Sequence, residues 1–161
     1  MSRAVLSVGS NVGDRLAHLQ SAVDALRDVL VVVSPVYQTA PWGGVEQDDF
    51  LNAVLLVDEE DTDEDEWLRR AQRLEHAAGR TREVRWGPRK LDVDIIAVDS
   101  VSRDDAALIL PHPRAHLRAF VLVPWLDVEP QAVLAGHGPV RDLVGGVDST
   151  GVRRRDDLEL S

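Results

Sequence analysis

The chain opens on Arg3-Ala-Val-Leu-Ser-Val-Gly9, a short apolar run that predicts a first strand. From Asp14 the period lengthens. Leu16, Leu19, Val23 and Leu26 recur three and four residues apart and predict a helix over 15–28, capped by Asp14. Residues 29–38 are rich in β-branched side chains and predict a second strand, with Pro35 marking an edge or a bulge. A loop containing Pro41, Gly43 and Gly44 leads to a third strand over 50–57. Thr62 and Asp65 resemble a capping box. Trp67, Leu68, Ala71, Leu74 and Ala78 share one face of the helix that follows, which Gly79 can end. Residues 91–98 predict a fourth strand.

The order β-α-β-β-α-β is the ferredoxin-like arrangement of an α+β fold. It predicts an antiparallel four-stranded sheet with both helices on one face and the other face free to carry an active site. Further along, residues 118–127 predict a short helix and 139–145 another helical turn. The polar, Arg-rich segment 148–161 is expected to fray. At 161 residues the chain is expected to form one domain over 1–161. Its 44% apolar and 29% charged content is that of a globular protein. The absence of cysteine excludes disulfides and thiolate metal sites. The N-terminus lacks the apolar core of a signal peptide, and no apolar run approaches the ~20 residues of a membrane span. The expected location is therefore the cytoplasm, with no membrane partner.

Charge is distributed unevenly. The net charge is −10, which argues against nucleic acid as a partner. Residues 58–66 hold eight carboxylates, read here as a solvated turn running into a helix start, where negative charge suits the helix dipole. Against this background Arg80, Arg82, Arg85, Arg89 and Lys90 place five cations beside Glu83 alone, around one Gly-Pro turn. A solvated loop paired with the acidic run would account for a few of them. Five favour contact with phosphate, whose oxygens guanidinium groups bind as planar forks.

The basic segment runs directly into the fourth strand. Asp92 and Asp94 are two apart there and project from one face, while Leu91, Val93 and Ile95 project from the other. An isolated Asp-x-Asp is most simply a solvent face. Beside the arginines it fits a magnesium–polyphosphate site, because magnesium takes one or two carboxylates plus phosphate oxygens and waters. Gly9 to Gly13 follows a strand and precedes a helix, but Asp14 stands where a P-loop needs lysine. His112 and His116 are four apart with Pro113 between them, which does not suit zinc. His112, set between two prolines, is open to either a phosphate contact or a structural role. Phe50 and Phe120 are the only phenylalanines. Core packing is the default for each, but both could border the open sheet face. Asn52 shares a face with Phe50. Two rings and one amide could stack a planar heterocycle and read its edge.

Taken together these residues resemble the 6-hydroxymethyl-7,8-dihydropterin pyrophosphokinase family of folate biosynthesis. The likeness spans about residues 3–145 and is most specific in Arg-Trp-Gly-Pro-Arg-Lys-Leu-Asp-Val-Asp at 85–94. Gly9-Ser10-Asn11, Tyr37-Gln38-Thr39, Phe50-Leu51-Asn52, Gln72-Arg73-Leu74-Glu75, Gly79-Arg80, Pro111-His112 and Arg118-Ala119-Phe120 support it in order. The resemblance implies that Asp92 and Asp94 hold two magnesium ions between ATP and the pterin. It implies that Gln72, Glu75, Arg89 and His112 contact ATP, with Arg80, Arg82, Arg85 and Trp86 on a mobile catalytic loop and Arg118 near phosphate. Pterin would lie between Phe50 and Phe120, its edge read by Asn52 and by groups near Thr39, Ala40 and Trp42. Phe50 stands where members often carry Tyr, and Ala40 where Pro is familiar. The implied reaction moves pyrophosphate from ATP to the pterin and releases AMP. The protein would act on small molecules as a monomer. A metal-dependent phosphohydrolase would direct the same aspartates and arginines at water, and an RNA-recognition module would share the topology but needs aromatics where Asp92 and Asp94 stand.

Overall fold

A computed structural model describes residues 2–40, 47–79 and 90–161. Strand β1 (Ser2–Ser10) is followed by helix α1 (Arg15–Ala25), strands β2 (Leu30–Val33), β3 (Tyr37–Thr39) and β4 (Phe50–Glu59), helix α2 (Glu64–Ala77) and strand β5 (Asp92–Val98). A small hairpin, β6 (Arg103–Asp104) with β7 (Ile109–Leu110), leads through a 3-10 turn at Ala115–Leu117 into α3 (Ala119–Val128). The hairpin β8 (Val133–Leu134) with β9 (Gly138–Pro139), helix α4 (Val140–Gly145) and strand β10 (Val152–Arg154) complete the chain. No described helix is long and apolar enough to cross a membrane.

The main sheet runs β10-β3-β4-β1-β5, with β2 also paired to β4, and every pairing is antiparallel. Its core is the expected ferredoxin-like order, with β1 at the centre between β4 and β5. Alternation along the strands builds two cores. Leu6 and Val8 of β1, Leu51 and Leu55 of β4, and Val93 and Ile95 of β5 face Leu19 and Val23 of α1 and Trp67 and Ala71 of α2. Val5, Val54, Leu56 and Ile96 face the other way, against Val121, Leu122 and Trp125 of α3.

Four expectations need correction, the last of them the cap of α2. The second face is not free: α3 and α4 cover its apolar end, and among the described residues only the polar end stays open. The second strand is two strands, because Pro35 has no N–H to extend the ladder. The break is bridged by Ser34, whose N–H donates to the Val54 carbonyl at 2.9 Å and whose Oγ accepts from the Val54 N–H at 2.8 Å. The third concerns the C-terminal segment, which does not fray. Val152–Arg154 pair with Thr39–Tyr37, and Leu160 is buried in the helix-side core. The Ser161 N–H donates to Gln20 Oε1 at 3.0 Å.

The acidic run behaves as a helix start. Asp63, rather than Thr62, is the N-cap of α2 and accepts from the Glu66 N–H, while Glu64, Asp65 and Glu66 fill the first turn. Its carboxylates also meet Arg103, which lies 2.7 Å from Asp65.

Ser34 generates a stability prediction. Ser34→Ala leaves the buried Val54 N–H without its acceptor, which should cost about 1–3 kcal/mol. Urea unfolding with an unchanged slope would report it, and an unchanged midpoint would show that the hydroxyl bridges nothing of consequence.

Candidate active site

The open end of the second sheet face is assembled by register. Gly9 of β1 pairs with Asp92 of β5 on one side and Asn52 of β4 on the other, and Asn52 in turn pairs with Tyr37 of β3. One step along, Ser7 pairs with Asp94 and with Val54. Antiparallel pairs project to the same side. Asp92, Asp94, Ser7 and Asn52 therefore share a surface that Leu91, Val93 and Ile95 do not reach.

Phe50 and Asn52 need the glycine between them and β5. A Cβ at Gly9 would lie 2.8 Å from Asn52 Oδ1 and 3.5 Å from Phe50 Cδ1. The first distance is a clash with a buried amide whose Nδ2 already donates to Thr39 Oγ1 at 2.6 Å. Thr39 and Asn52 are both buried, so the two side chains hold each other in one orientation. Ala40 follows at the end of β3 and is exposed.

Arg118 and Phe120 enter from the other side, at the start of α3. Arg118 is the N-cap residue, its side chain only 10% exposed and its Nη1 3.6 Å from Asp94 Oδ2. Burial pulls the guanidinium pKa down from its usual range, and Asp94 opposes that shift. Arg118 Nε is buried without a hydrogen-bond partner among the described residues, and the guanidinium carbon lies 5.5 Å from the centre of the half-buried Phe120 ring. A cation held this way is poised for an anion, since a buried donor without a partner is costly.

His112 is anchored by its backbone, whose N–H donates to the Ile96 carbonyl at 2.8 Å. Its Nδ1 accepts from the Arg114 N–H at 3.1 Å. Burial, then Arg118 and Arg114, push its pKa down to about 4, against a smaller pull from Asp92. The ring is thus neutral at pH 7, and with Nδ1 an acceptor the proton sits on Nε2.

On the α2 side a cleft of about 400 Å³ runs along the free edge of β5. Gln72, Glu75, Asp92, Asp94 and His112 line it, together with the β6–β7 hairpin. Its size is that of a small-molecule site. Glu75 is buried, and its Oε2 accepts from the Val93 N–H at 3.0 Å. Val93 lies between the two aspartates, so this carboxylate satisfies the edge of β5 where Asp92 and Asp94 are presented.

Of the residues singled out from sequence, Gln72, Glu75, Asp92, Asp94 and His112 thus meet at one cleft, while Thr39, Phe50, Asn52 and Phe120 lie around the neighbouring open face. Arg118 joins the second group to Asp94. Arg80, Arg82, Arg85, Trp86, Arg89 and Trp42 lie outside the described residues. Sequence reasoning missed the hairpin wall, which carries no motif. It also missed the packing role of Gly9, which needed the register to be seen.

The family comparison bears on this arrangement directly. Residues 5–130 match the family described as 7,8-dihydro-6-hydroxymethylpterin-pyrophosphokinase (HPPK). The chain belongs to this family. The 2-amino-4-hydroxy-6-hydroxymethyldihydropteridine pyrophosphokinase of Mycobacterium tuberculosis is 52% identical, over 99% of this chain and 90% of that protein. The enzyme of the same name from Mycobacterium leprae is 57% identical over 86% of this chain and 78% of its own length. That of Methylorubrum extorquens is 41% identical over 96% and 99%. Among solved structures, wild-type HPPK-DHPS of Plasmodium falciparum superposes with a TM-score of 0.69 at 14% identity, covering 96% of this chain. The chain spans 47% of that longer protein, and the likeness supports the fold.

Gly9 supplies a test of the geometry. Gly9→Ala should overpack the site and cost about 1–3 kcal/mol of stability. Adding Asn52→Ala removes the clashing amide and should return much of that loss. A double variant whose losses simply add would show that the two residues are not in contact.

Proposed function

We infer that this protein transfers the pyrophosphoryl unit of ATP to 6-hydroxymethyl-7,8-dihydropterin in folate biosynthesis, producing AMP and the pterin diphosphate. The observation that carries this reading is the place of Asp92 and Asp94. They stand where a 400 Å³ cleft meets a separate face built from Phe50, Asn52 and Phe120. Two compartments sharing one pair of carboxylates suit a reaction between two small molecules.

ATP lies in the cleft against Gln72 and Glu75, with its phosphates toward β5. The His112 Nε2–H donates to a phosphate oxygen, and the orphaned Arg118 Nε finds its acceptor on the transferring group. Arg80, Arg82, Arg85, Arg89 and Trp86 complete the phosphate contacts. The pterin stacks between Phe50 and Phe120, its edge read by Asn52 and by groups near Thr39, Ala40 and Trp42.

The described residues contain no cluster of three or more His, Asp or Glu side chains able to hold a metal. Two carboxylates on one strand face are nevertheless a suitable donor set for magnesium, whose other ligands come from phosphate and water. Asp92 and Asp94 would hold two magnesium ions, which would supply neutralisation of phosphate charge when bound.

The hydroxymethyl oxygen attacks the β-phosphorus as its proton passes to water, and the bond from that phosphorus to the α,β-bridging oxygen breaks to release AMP. Positioning and charge neutralisation supply most of the acceleration in such transfers. The protein acts as one domain and as a monomer in the cytoplasm.

Chromatography of nucleotides after incubation with ATP, magnesium and the hydroxymethyl dihydropterin should show AMP in equal amount to pterin diphosphate. ADP as the main product, or AMP formed equally fast without pterin, would overturn the reading.

Substituting the carboxylates tests the metal assignment separately. Asp92→Asn and Asp94→Asn should each lower kcat by about a hundredfold or more, since metal stabilisation of the transition state amounts to several kcal/mol. Asp92→Asn should fold, because it relieves repulsion between two carboxylates on one face, whereas Asp94→Asn also removes the charge facing buried Arg118 and should lower the thermal midpoint, so the midpoint is measured beside kcat for both. Near-normal turnover at saturating magnesium in either variant would refute its role.

A further inference from the structure

The C-terminal strand reaches the pterin side of the site, where Val152 pairs with Thr39. Side chains alternate along β10 and the residues after it, so Arg154 and Arg155 leave on opposite faces. Arg154 falls opposite Tyr37 and acts electrostatically on both Tyr37 and Asp127. Arg155 falls on the face of Gln38. Its backbone N–H donates to the Val36 carbonyl at 2.8 Å, continuing the edge pairing by one residue.

The Arg155 guanidinium is set before it reaches Gln38. Nε and Nη2 donate to the two oxygens of Asp157 at 2.8 and 2.7 Å, a bidentate fork that fixes the plane of the group. Nη1 then donates to Gln38 Oε1 at 2.6 Å. A primary amide has two nearly equivalent orientations. With its oxygen held by Arg155, the Gln38 NH₂ must point the other way, where Nε2 donates to Asp49 Oδ2 at 3.0 Å. The Asp49 carbonyl also accepts from Arg15 Nη1 at 3.1 Å. Asp49 is followed directly by Phe50, whose ring borders Gly9 on the site face.

We propose that Arg155 is a positioning residue for the pterin pocket. Through Gln38 and Asp49 it fixes the chain where Phe50 enters the sheet. The role rests on the function inferred above and adds to it, because it makes the C-terminal strand part of substrate selection rather than a passive edge.

The experiment compares wild type, Arg155→Ala, Arg155→Lys, Gln38→Ala and the Arg155→Ala/Gln38→Ala double variant. KM for the pterin, KM for ATP and the thermal midpoint are measured for each. Arg155→Ala should raise the pterin KM about threefold to tenfold, the scale of one hydrogen bond, with ATP KM unchanged. Arg155→Lys keeps the charge but loses the fork, and should fall between Arg155→Ala and wild type. Gln38→Ala should match Arg155→Ala, and the double variant should go no further, since the two act in series on Asp49.

If Arg155 only fastens the tail, the midpoint falls while the pterin KM stays put or both KM values rise together, and the proposal is overturned. Additive effects in the double variant would overturn it too. Should Arg155→Ala not fold, Gln38→Ala leaves the β10 pairing intact and decides the question alone. A wild-type protein that turns over no pterin removes the underlying function and this role with it. A wild type that does so beside unaffected variants removes only the role.

Discussion

The double pairing of the central strand constrains everything else. β1 is hydrogen-bonded on both sides, and its two ladders together decide which residues of β4 and β5 share a face. In the observed register Ser7 meets Asp94 and Gly9 meets both Asp92 and Asn52. A slip of one residue would turn both aspartates toward Trp67 and Leu19 and would expose Val93 and Ile95. Burying two carboxylates among apolar side chains is far costlier than any gain from the slipped ladder. The pattern that builds the helix-side core is therefore the same pattern that presents the candidate metal ligands, and neither can drift without the other.

The open face is polar where chemistry is expected and apolar where packing is needed. Val5, Val54, Leu56 and Ile96 draw α3 onto one end. This brings the first turn of α3, with Arg118 and Phe120, to the border of the polar end. Tyr37 helps hold it there, since its hydroxyl donates a hydrogen bond to Asp127 near the far end of the helix. Burial and this carboxylate push the Tyr37 pKa up to about 12, so the hydroxyl remains a donor across the physiological range. The site accepts some instability in return. Among the described residues Arg118 Nε has no partner, and its approach to Asp94 is long, an arrangement suited to an added anion.

Much of this was legible from periodicity. The βαββαβ order, the shared face of Asp92 and Asp94, an irregularity at Pro35 and the helices near 119–128 and 140–145 all follow from local pattern and turn chemistry, though the full break at Pro35 does not. The tail was misread because its composition is that of a solvated end. Its order comes from pairing with β3 and from Leu160 entering a core more than a hundred residues away in sequence. The expectation of a wholly free sheet face failed for a related reason. Four strands and two helices satisfied the expected topology, and nothing local in 118–145 said which surface those segments would cover.

By itself the sequence determined which residue types alternate and where they alternate, because strand and helix periods are properties of the backbone. That was enough to put two carboxylates on one side of a strand and a run of cations just before it. Tertiary structure decided what those carboxylates face. Only the pairing of β1 with both neighbours brings Gly9 under Asn52 and Phe50, and only the docking of α3 sets Arg118 against Asp94. These are contacts between segments far apart in the chain, fixed by register and by burial. No local stretch of residues carries either.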